Sequence, residues 1–419
     1  MMSRTRPDVV YVHHGAPRVY EIVHAIEKSG YSCRLLSGYY FREDGWPERI
    51  LRRLPQRWTA SLLANLKRRH IDSLPPERVE RSWIQEILLG IERSCRVFLP
   101  NFVIARNRYI DLRAALRVLM LRPKIVISCD THALFTLRAA KLIGTVAVLD
   151  QVIGHVDAGN RILSEEKELN PEAGFAFRPT PARMVRRCIK EVREADYILA
   201  PSDYVRDSIL PFGVSPDRII PMPFGVDLSL FAPAPDKNVP PFRILFAGHI
   251  GLRKGVYYLL EAVRQADIPE LQVVLLGNIE GNGEWLQKYE DLYVHIRHTP
   301  RQEIPAIFAD AQIYVFPSLH EGSTVSIYEA MASGLPVVTT PNAGSVVRDG
   351  EDGFIVPVRD IDAICDRIQR LYRDPELRAE MGSRAVAHAA EYSWDAYSRR
   401  IGSALAGMLR NATSQGQEK

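Results

Sequence analysis

Short apolar runs alternate with amphipathic stretches along most of the chain, a pattern typical of a parallel β-sheet covered by helices. In the first half the predicted strands lie at 9–13, 33–36, 125–128, 146–149 and 197–200. In the second half they lie at 243–247, 272–276, 293–296, 313–316, 337–339 and 354–356. Prolines between 233 and 241 predict a linker. The pattern therefore predicts an α/β protein made of two doubly wound halves.

The stretch from 38 to 122 departs from this alternation, because it is long, basic and helical in pattern and shows no clear strand. Residues 1–150 hold 25 basic and 14 acidic residues, a net charge of +11, whereas the remainder of the chain carries −7. We therefore expect the first half to face an anionic partner.

The segment 49–70 concentrates this charge, with seven basic residues and no acidic one. Its leucines and Trp58 recur at helical spacing, although Pro55 must begin or break the helix. Two interpretations stay open. The segment is an amphipathic helix that lies on an anionic membrane surface, or its apolar stripe packs on its own domain.

Bulk composition is that of a globular protein, and 419 residues suit two domains of ordinary size. No apolar run reaches transmembrane length, and the N-terminus leads into a strand without a signal-peptide core. Five cysteines are scattered without disulfide or metal spacing. These features predict a cytoplasmic protein, peripheral on the inner face of the membrane if 49–70 binds lipid. Nucleic acid is not an expected partner.

Glu321 and Glu329 lie eight positions apart between two predicted strands. The pattern predicts that Glu321 lies in a loop and Glu329 in a helix that starts near Thr324. The amides of Ser323, Thr324 and Val325 at the helix start can bind phosphate, and the carboxylates can accept hydrogen bonds from hydroxyls. A nucleotide-sugar carries both kinds of group. The bare spacing is also typical of surface charge, but the strand, loop and helix context favours a site.

Further candidates follow the first strand of each half, where ligands bind in doubly wound folds. Arg253 and Lys254 are expected to hold a diphosphate and to stabilise the negative charge that builds on it as a nucleotide leaves. Gly15 would let the backbone approach the ligand closely. We interpret the adjacent His13 and His14 as strand-end residues rather than metal ligands.

The region around Glu321 resembles the donor-site signature of family-4 retaining glycosyltransferases, the glycosyl transferases group 1, which have the GT-B fold. Similar blocks follow in the family's order at 223–227, 246–255, 310–318, 320–338 and 342–344. The resemblance implies two doubly wound Rossmann-like domains that face each other across a cleft. Residues 1–225 would bind the acceptor and residues 226–391 the nucleotide-sugar donor. A C-terminal helix at 392–419 would pack back on the first domain.

The resemblance also implies roles for single residues. Glu329 would hold the ribose hydroxyls, and Glu321 would contact the donor sugar near its reacting end. His132 would orient the acceptor or relay a proton, unless it is merely a structural residue at a helix start. The catalytic set implied is Glu321, Arg253, Lys254 and His132. The donor-binding set is Gly15, Gly248, Arg253, Lys254, Gly322, Ser323, Thr324, Val325, Glu329 and Thr299, with the base resting near His298 and Thr299.

The reaction implied is transfer of a sugar, with retention, from a UDP- or GDP-sugar to a hydroxyl of a glycan, glycolipid or lipid-linked acceptor in cell-surface polysaccharide biosynthesis. Asp360 and Asp362 have the spacing of a metal-binding Asp-x-Asp motif, but they stand at a predicted helix start, where Asp is a common cap. We therefore expect no metal and no other cofactor. Two alternatives remain: another GT-B enzyme, such as a phosphorylase or nucleotide-sugar epimerase, and a non-catalytic binding subunit.

Overall fold

The computed structural model describes residues 6–14, 17–38, 40–42, 45, 48–49, 53, 74–82, 84, 100–171, 177–234, 240–297 and 299–417. Within these residues, each half of the chain forms one parallel sheet flanked by helices. The predicted α/β class is confirmed.

The first sheet consists of β1 (Val9–Val12), β2 (Cys33–Leu36), β3 (Val79–Glu80), β4 (Ile125–Cys129), β5 (Val146–Asp150), β6 (Tyr197–Ala200) and β7 (Ile219–Pro221). Their spatial order is β3-β2-β1-β4-β5-β6-β7, and all neighbours are parallel. The central strands are buried on both faces, which is why they are apolar throughout. Two of these strands were not predicted: β3, in the stretch that shows no clear strand, has only two residues, and β7 has three residues and ends in a proline.

Helices cover both faces of this sheet. They are α1 (Pro17–Lys28), α2 (Pro100–Leu121), α3 (Leu134–Leu142), α4 (Val156–Leu169), α5 (Ala182–Glu194) and α6 (Asp203–Ile209). Apolar residues of α2, α3, α5 and α6 pack on one face, and those of α1 pack on the other. Helix α3 follows the end of β4, and α2 and α5 run back to the start of β4 and β6. The N-termini of all three helices therefore lie near the carboxyl edge of the sheet.

The second sheet consists of β8 (Phe242–Ala247), β9 (Leu271–Leu276), β10 (Tyr293–Ile296), β11 (Ile313–Phe316), β12 (Val337–Thr339) and β13 (Gly353–Ile355). Its order is β10-β9-β8-β11-β12-β13. The helices around it are α7 (Val256–Ala266), α8 (Ile304–Ala309), α9 (Val325–Ala332), α10 (Ile361–Arg373) and α11 (Pro375–Ala389). Both sheets therefore reverse their winding between the first strand and the fourth, which opens a crevice at the carboxyl ends of those strands.

The last helix, α12 (Trp394–Gln417), packs on the first half. Ile401 and Leu405 are buried in the same apolar cluster as the inner side of α1. The hydroxyl of Ser398 donates a hydrogen bond of 2.8 Å to the carbonyl oxygen of Ala25. The chain thus returns to its N-terminal half after completing the second sheet.

Helix α4 contacts the second half, although it lies within the first half of the sequence. Leu163 is part of the apolar core of the second sheet. The buried carboxylate of Glu166 accepts hydrogen bonds of 2.8 Å from the hydroxyl of Tyr258 and 2.9 Å from Nε of Arg359. These contacts join the two halves on one side of the crevice.

No helix among the described residues combines the length and the apolar character needed to cross a membrane. The segment 49–70, on which the membrane interpretation depends, lies outside the described residues except for Arg49 and Arg53.

Candidate functional site

A cavity of about 450 Å³ lies at the switch point of the second sheet, beside the carboxyl ends of β8 and β11. This volume falls within the usual range for a small-molecule site. The predicted donor-site residues that line it are Gly248, Lys254, Thr299, Glu321, Ser323, Thr324, Val325 and Glu329. Tertiary structure therefore brings most of that set together around one space.

Glu321 is paired with both cations of the loop that follows β8. Its carboxylate contacts Nζ of Lys254 at 2.7 Å and also contacts Nη1 of Arg253, and all three side chains are largely buried. Burial raises the pKa of Glu321, but the charges of Arg253 and Lys254 outweigh burial and lower it below its ordinary value. Arg253 also donates a hydrogen bond of 2.9 Å to the carbonyl oxygen of His320, so it stands behind Glu321 rather than in the cavity wall.

Gly255 explains why these cations lie so near the end of β11. Its φ is 77°, which is the left-handed region, and an added Cβ would come within 1.9 Å of the carbonyl oxygen of Pro317. A residue with a side chain would push the loop away from β11. The glycine therefore sets the position of Arg253 and Lys254 relative to Glu321.

The start of α9 provides hydrogen-bond donors on the wall of the cavity. Thr324 precedes the helix, yet its hydroxyl donates to the carbonyl oxygen of Ala343 and makes no cap bond. The first-turn amides of a helix without such a cap can bind an anion. Thr324, Val325 and Ser326 all line the cavity. The predicted phosphate-binding position of this helix start therefore coincides with the cavity.

Glu329 lies one turn further along α9, and its side chain also reaches the cavity. Burial raises the pKa of Glu329 to about 7, and only the more distant charge of Arg301 opposes that shift. Two carboxyls of one cavity thus differ in state. Glu321 is held ionised by two cations, whereas Glu329 is close to half protonated at neutral pH.

The loop that carries Glu321 is also held by the first half of the chain. The backbone amide of Gly154 donates to the carbonyl oxygen of Glu321 at 3.1 Å, and the hydroxyl of Ser202 donates to the carbonyl oxygen of Gly322. A Cβ on Gly322 would lie 1.8 Å from the carbonyl oxygen of Val152, so only glycine allows this approach. Gly322 therefore serves contact between the halves and is not part of the cavity wall.

His132 lies on the first half, just after β4, and does not line the cavity. Its ring is buried, and its Nε2 has no hydrogen-bond partner among the described residues. Burial lowers the pKa of His132 well below its ordinary value, and the charges of His14, Arg187 and Arg106 act in the same direction. His132 is therefore neutral at pH 7 and able to accept a hydrogen bond.

His13 and His14 stack at the end of β1, and ligand-type atoms of both lie within 4.8 Å of Sγ of Cys129. A metal would require this thiol to ionise. Burial raises the pKa of Cys129 well above its ordinary value, and the negative charge of Asp130 adds to the shift. The thiol instead donates to a carboxylate oxygen of Asp130 at 3.3 Å. The described contacts favour the interpretation of the two histidines as strand-end residues.

Two predicted residues cannot be placed, because Gly15 and His298 lie outside the described residues. Asp360 caps the N-terminus of α10, with its carboxylate accepting from the amide of Ala363 at 2.8 Å. Asp362 accepts a hydrogen bond from Nε2 of Gln265. Asp360 therefore has the predicted role of a helix cap.

Residues 241–374 match the family described as glycosyl transferases group 1. Residues 241–374 therefore form a glycosyl transferases group 1 domain. The D-inositol 3-phosphate glycosyltransferase of Paenarthrobacter aurescens (strain TC1) is 31% identical to this chain over 256 residues, which are 55% of this chain and 62% of that protein. The chain therefore spans about three fifths of the length of this curated relative.

Solved structures extend the likeness of the group 1 domain to the whole fold. Sucrose-phosphate synthase from Thermosynechococcus elongatus superposes with a TM-score of 0.69 at 17% identity, over 97% of this chain and 100% of that one. HepE from Anabaena, in complex with UDP and glucose, gives a TM-score of 0.62 at 15% identity, over 96% and 100%. These are GT-B proteins, so the predicted GT-B fold is confirmed.

The sequence analysis missed two cations that line the cavity of the group 1 domain. Arg297 directly follows β10, and the rule that ligands bind beyond the carboxyl ends of strands would have found it. Arg18 comes from the first half, near the start of α1, and packs 3.7 Å from the ring centre of Phe224. Nothing local in the sequence indicates that Arg18 faces the second sheet.

Proposed function

We propose that the chain is a retaining glycosyltransferase that moves a sugar from a nucleoside diphosphate sugar to an acceptor hydroxyl. The observation that carries the proposal is the grouping of two carboxyls, several cations and an uncapped helix start around one cavity of about 450 Å³. Diphosphate, ribose and sugar hydroxyls each have a matching partner there. Retention at the anomeric carbon is proposed from the family resemblance.

In this proposal the donor diphosphate replaces Glu321 as the partner of the loop cations. Lys254, on the cavity wall, then stabilises the negative charge that grows on the leaving phosphate, and Arg253 adds its positive charge from behind Glu321. Both act more strongly in the transition state than in the ground state. Glu321, released from the pair, accepts hydrogen bonds from the donor sugar. Arg18 adds a positive charge from the opposite half once the donor is bound.

Glu329 is proposed to accept hydrogen bonds from the ribose hydroxyls, with Thr299 near the base and Gly248 allowing close approach of the ligand. His132, which is neutral, is proposed to orient the acceptor hydroxyl from the first half. The acceptor attacks on the face from which the nucleotide leaves, and the departing phosphate takes its proton. Closure of the crevice limits hydrolysis by water.

We further propose a UDP- or GDP-sugar as donor and a glycan, glycolipid or lipid-linked acceptor. HepE is solved with UDP and glucose, which supports a UDP-sugar as donor. The acceptor class is proposed from the family resemblance. No metal or other cofactor is proposed. Polysaccharide biosynthesis in the cytoplasm, at the inner face of the membrane, is the setting that we propose.

The test is a thermal-shift screen of the full chain against UDP-, GDP-, ADP- and TDP-sugars and the corresponding diphosphates. A ligand far above its dissociation constant raises the melting temperature by mass action. We expect a shift with one base, lost in Glu329→Ala and kept in Glu303→Ala, which removes an exposed glutamate of the same domain. No shift with any nucleotide in folded protein would contradict the proposal.

Transfer is then measured with the donor that binds. Release of the nucleoside diphosphate together with an acceptor product of retained anomeric configuration, seen by NMR, supports the proposal. Phosphate-dependent release of a sugar phosphate would instead indicate a phosphorylase, and an epimerised sugar would indicate an epimerase. Binding without turnover across acceptors would indicate a non-catalytic subunit.

A further inference from the structure

A second cavity, of about 350 Å³, lies in the first half between α2, α3 and α5. Its floor is apolar and includes Phe135 and Met184. The polar side chains that line it are all cationic: Arg108, Arg183, Arg186, Arg187 and Lys190. No acidic residue lines this basic pocket within the described part of the chain.

Not all of this positive charge is available to a ligand. Arg187 already forms ion pairs with two buried acids: it contacts a carboxylate oxygen of Asp111 and lies 3.1 Å from a carboxylate oxygen of Glu191. Arg108, Arg186 and Lys190 are exposed, and none of them forms an ion pair among the described residues. These three cations from two helices surround one apolar floor.

Three cations beside an apolar floor favour a ligand that has both an anionic group and an apolar part. Cations that meet at one opening, with no acid between them, suit an anion with several oxygens, which Arg binds in a bidentate manner. An apolar floor adds nothing to the binding of an inorganic ion, but it does add to the binding of an alkyl chain attached to that ion. The guanidinium of Arg108 lies 5.8 Å from the ring centre of Phe135, so charge and apolar surface are adjacent.

The basic pocket is also next to the residue assigned to the acceptor. Leu134 and Phe135 begin α3 directly after His132 and Ala133. The carboxylate of Glu191 accepts hydrogen bonds from the amides of Thr131 at 2.8 Å and Ala133 at 3.0 Å. The network beneath the pocket therefore fixes the turn that contains His132, and a group held in the pocket would have a fixed position relative to that histidine.

We propose that the basic pocket binds the phosphate group of an amphipathic acceptor, in which a phosphate ester joins an apolar alcohol to a sugar. This inference rests on the proposed function and names the acceptor class for it. The phosphate contacts Arg108, Arg186 and Lys190, and the apolar part of the alcohol lies on Phe135 and Met184. The sugar hydroxyl of such an acceptor is then presented toward His132.

Binding of decyl phosphate, decanol and glucose 6-phosphate to the full chain is compared by calorimetry below the micellar concentration. The variant is Arg186→Ala/Lys190→Ala, and the control is Arg399→Ala/Arg410→Ala, which removes two exposed cations from α12. We expect decyl phosphate to bind about tenfold tighter than either other probe, and the pocket variant to lose about tenfold while the control changes less than about twofold.

Equal affinity of decyl phosphate for the pocket variant and the control would overturn the inference. Equal affinity of glucose 6-phosphate and decyl phosphate would overturn its apolar part. The nucleotide thermal shift is recorded on the same samples, because it depends on the other half of the chain. A protein that binds the nucleotide but not decyl phosphate would support the proposed function and contradict this inference. A protein that binds decyl phosphate in the basic pocket but no nucleotide would contradict the proposed function, while the pocket itself would still bind its ligand.

Discussion

At the scale of single residues, Glu321 and Glu329 differ because of their neighbours rather than their own chemistry. Glu321 has two cations within contact distance, whereas Glu329 has none that close among the described residues. A carboxyl removed from water favours its neutral form unless a cation compensates it. One loop and one helix therefore present an ionised and a titrating carboxyl to the same cavity.

This difference predicts a pH dependence of nucleotide binding. The pKa of Glu329 is about 7 in the free protein, and hydrogen bonds from ribose to the carboxylate would lower it in the complex. Binding should therefore weaken as pH falls below about 7, by up to about tenfold per pH unit, and level off above it. Calorimetry between pH 5.5 and 8.5 measures the profile.

Glu329→Gln is the matched variant, since it keeps the shape and removes the titration. The phosphates of the nucleotide titrate equally in both proteins, so only the difference between the two profiles reports on Glu329. Parallel profiles would contradict the assignment of the ribose contact.

Lys254→Ala is predicted to lower kcat by about a hundredfold with a smaller change in KM, because a fixed cation acts mainly on charge that develops in the transition state. Lys288→Ala is the control, since Lys288 is a more exposed lysine of the same domain that pairs with Glu261. Steady-state kinetics with the identified donor measure both. An unchanged kcat in Lys254→Ala would remove Lys254 from the catalytic set.

At the scale of elements, capping of helix ends explains why some polar residues have the spacing of a binding motif in the sequence. Asp360 and Asp374 each cap a helix of the group 1 domain, accepting from Ala363 and Leu377 three residues on. Thr324 occupies the same position before α9 but turns its hydroxyl to Ala343. The two capped helices are structural, and the uncapped one lines the cavity.

Asp360→Ala is predicted to destabilise the protein by about 1 kcal/mol, the usual cost of losing an N-cap. The matched Asp362→Ala change removes an exposed carboxylate from the same first turn and should cost less. Urea unfolding measures both, and transfer activity should stay unchanged in the folded variants. A loss of activity that added metal ions restore would contradict the capping role.

At the scale of the whole molecule, the site depends on contact between the two halves. The loop of Glu321 is bonded to Gly154 and Ser202 of the first half, and Glu166 joins the halves through Tyr258 and Arg359. The residues proposed to bind the donor and the histidine proposed to orient the acceptor thus lie beside separate sheets, whose relative position must be kept. Displacement of about 1 Å at reacting groups can lower a rate a hundredfold.

Gly322→Ala tests this dependence. The new Cβ would lie 1.8 Å from the carbonyl oxygen of Val152, so the halves must separate there. We predict a fall in kcat of about a hundredfold, with nucleotide binding changed less than about threefold, since the donor contacts lie mostly within one half.

Gly407→Ala in α12 is the control, because its Cβ would meet only the guanidinium of Arg410 at 4.0 Å. It should leave kinetics unchanged and keep or raise stability, since alanine favours a helix more than glycine. Full activity in Gly322→Ala would mean that this contact between the halves has no part in turnover.

The sequence alone determined the features that depend on a few neighbouring residues, which are the strands, the helix starts and the loops between them. The apolar pattern predicted every described strand except β3 and β7 to within a residue or two, and the loop and helix positions of Glu321 and Glu329 were predicted correctly. Such features follow from backbone hydrogen bonding and apolar alternation over a few residues. Strand β3 was not predicted because its two residues are too few to show a period, and β7 was not predicted because it has three residues and ends in a proline, which disfavours a strand.

Only the tertiary structure decided which distant residues meet. It brought Arg18 to the cavity of the other half, paired Glu321 with Arg253 and Lys254, and gathered the basic pocket from three helices. The physical reason is that these distances depend on how sheets and helices pack, and packing is determined by complementary surfaces far apart in the chain. The sequence therefore shows which residues can carry a charge, whereas the fold determines which partner each of them has and hence the pKa of each.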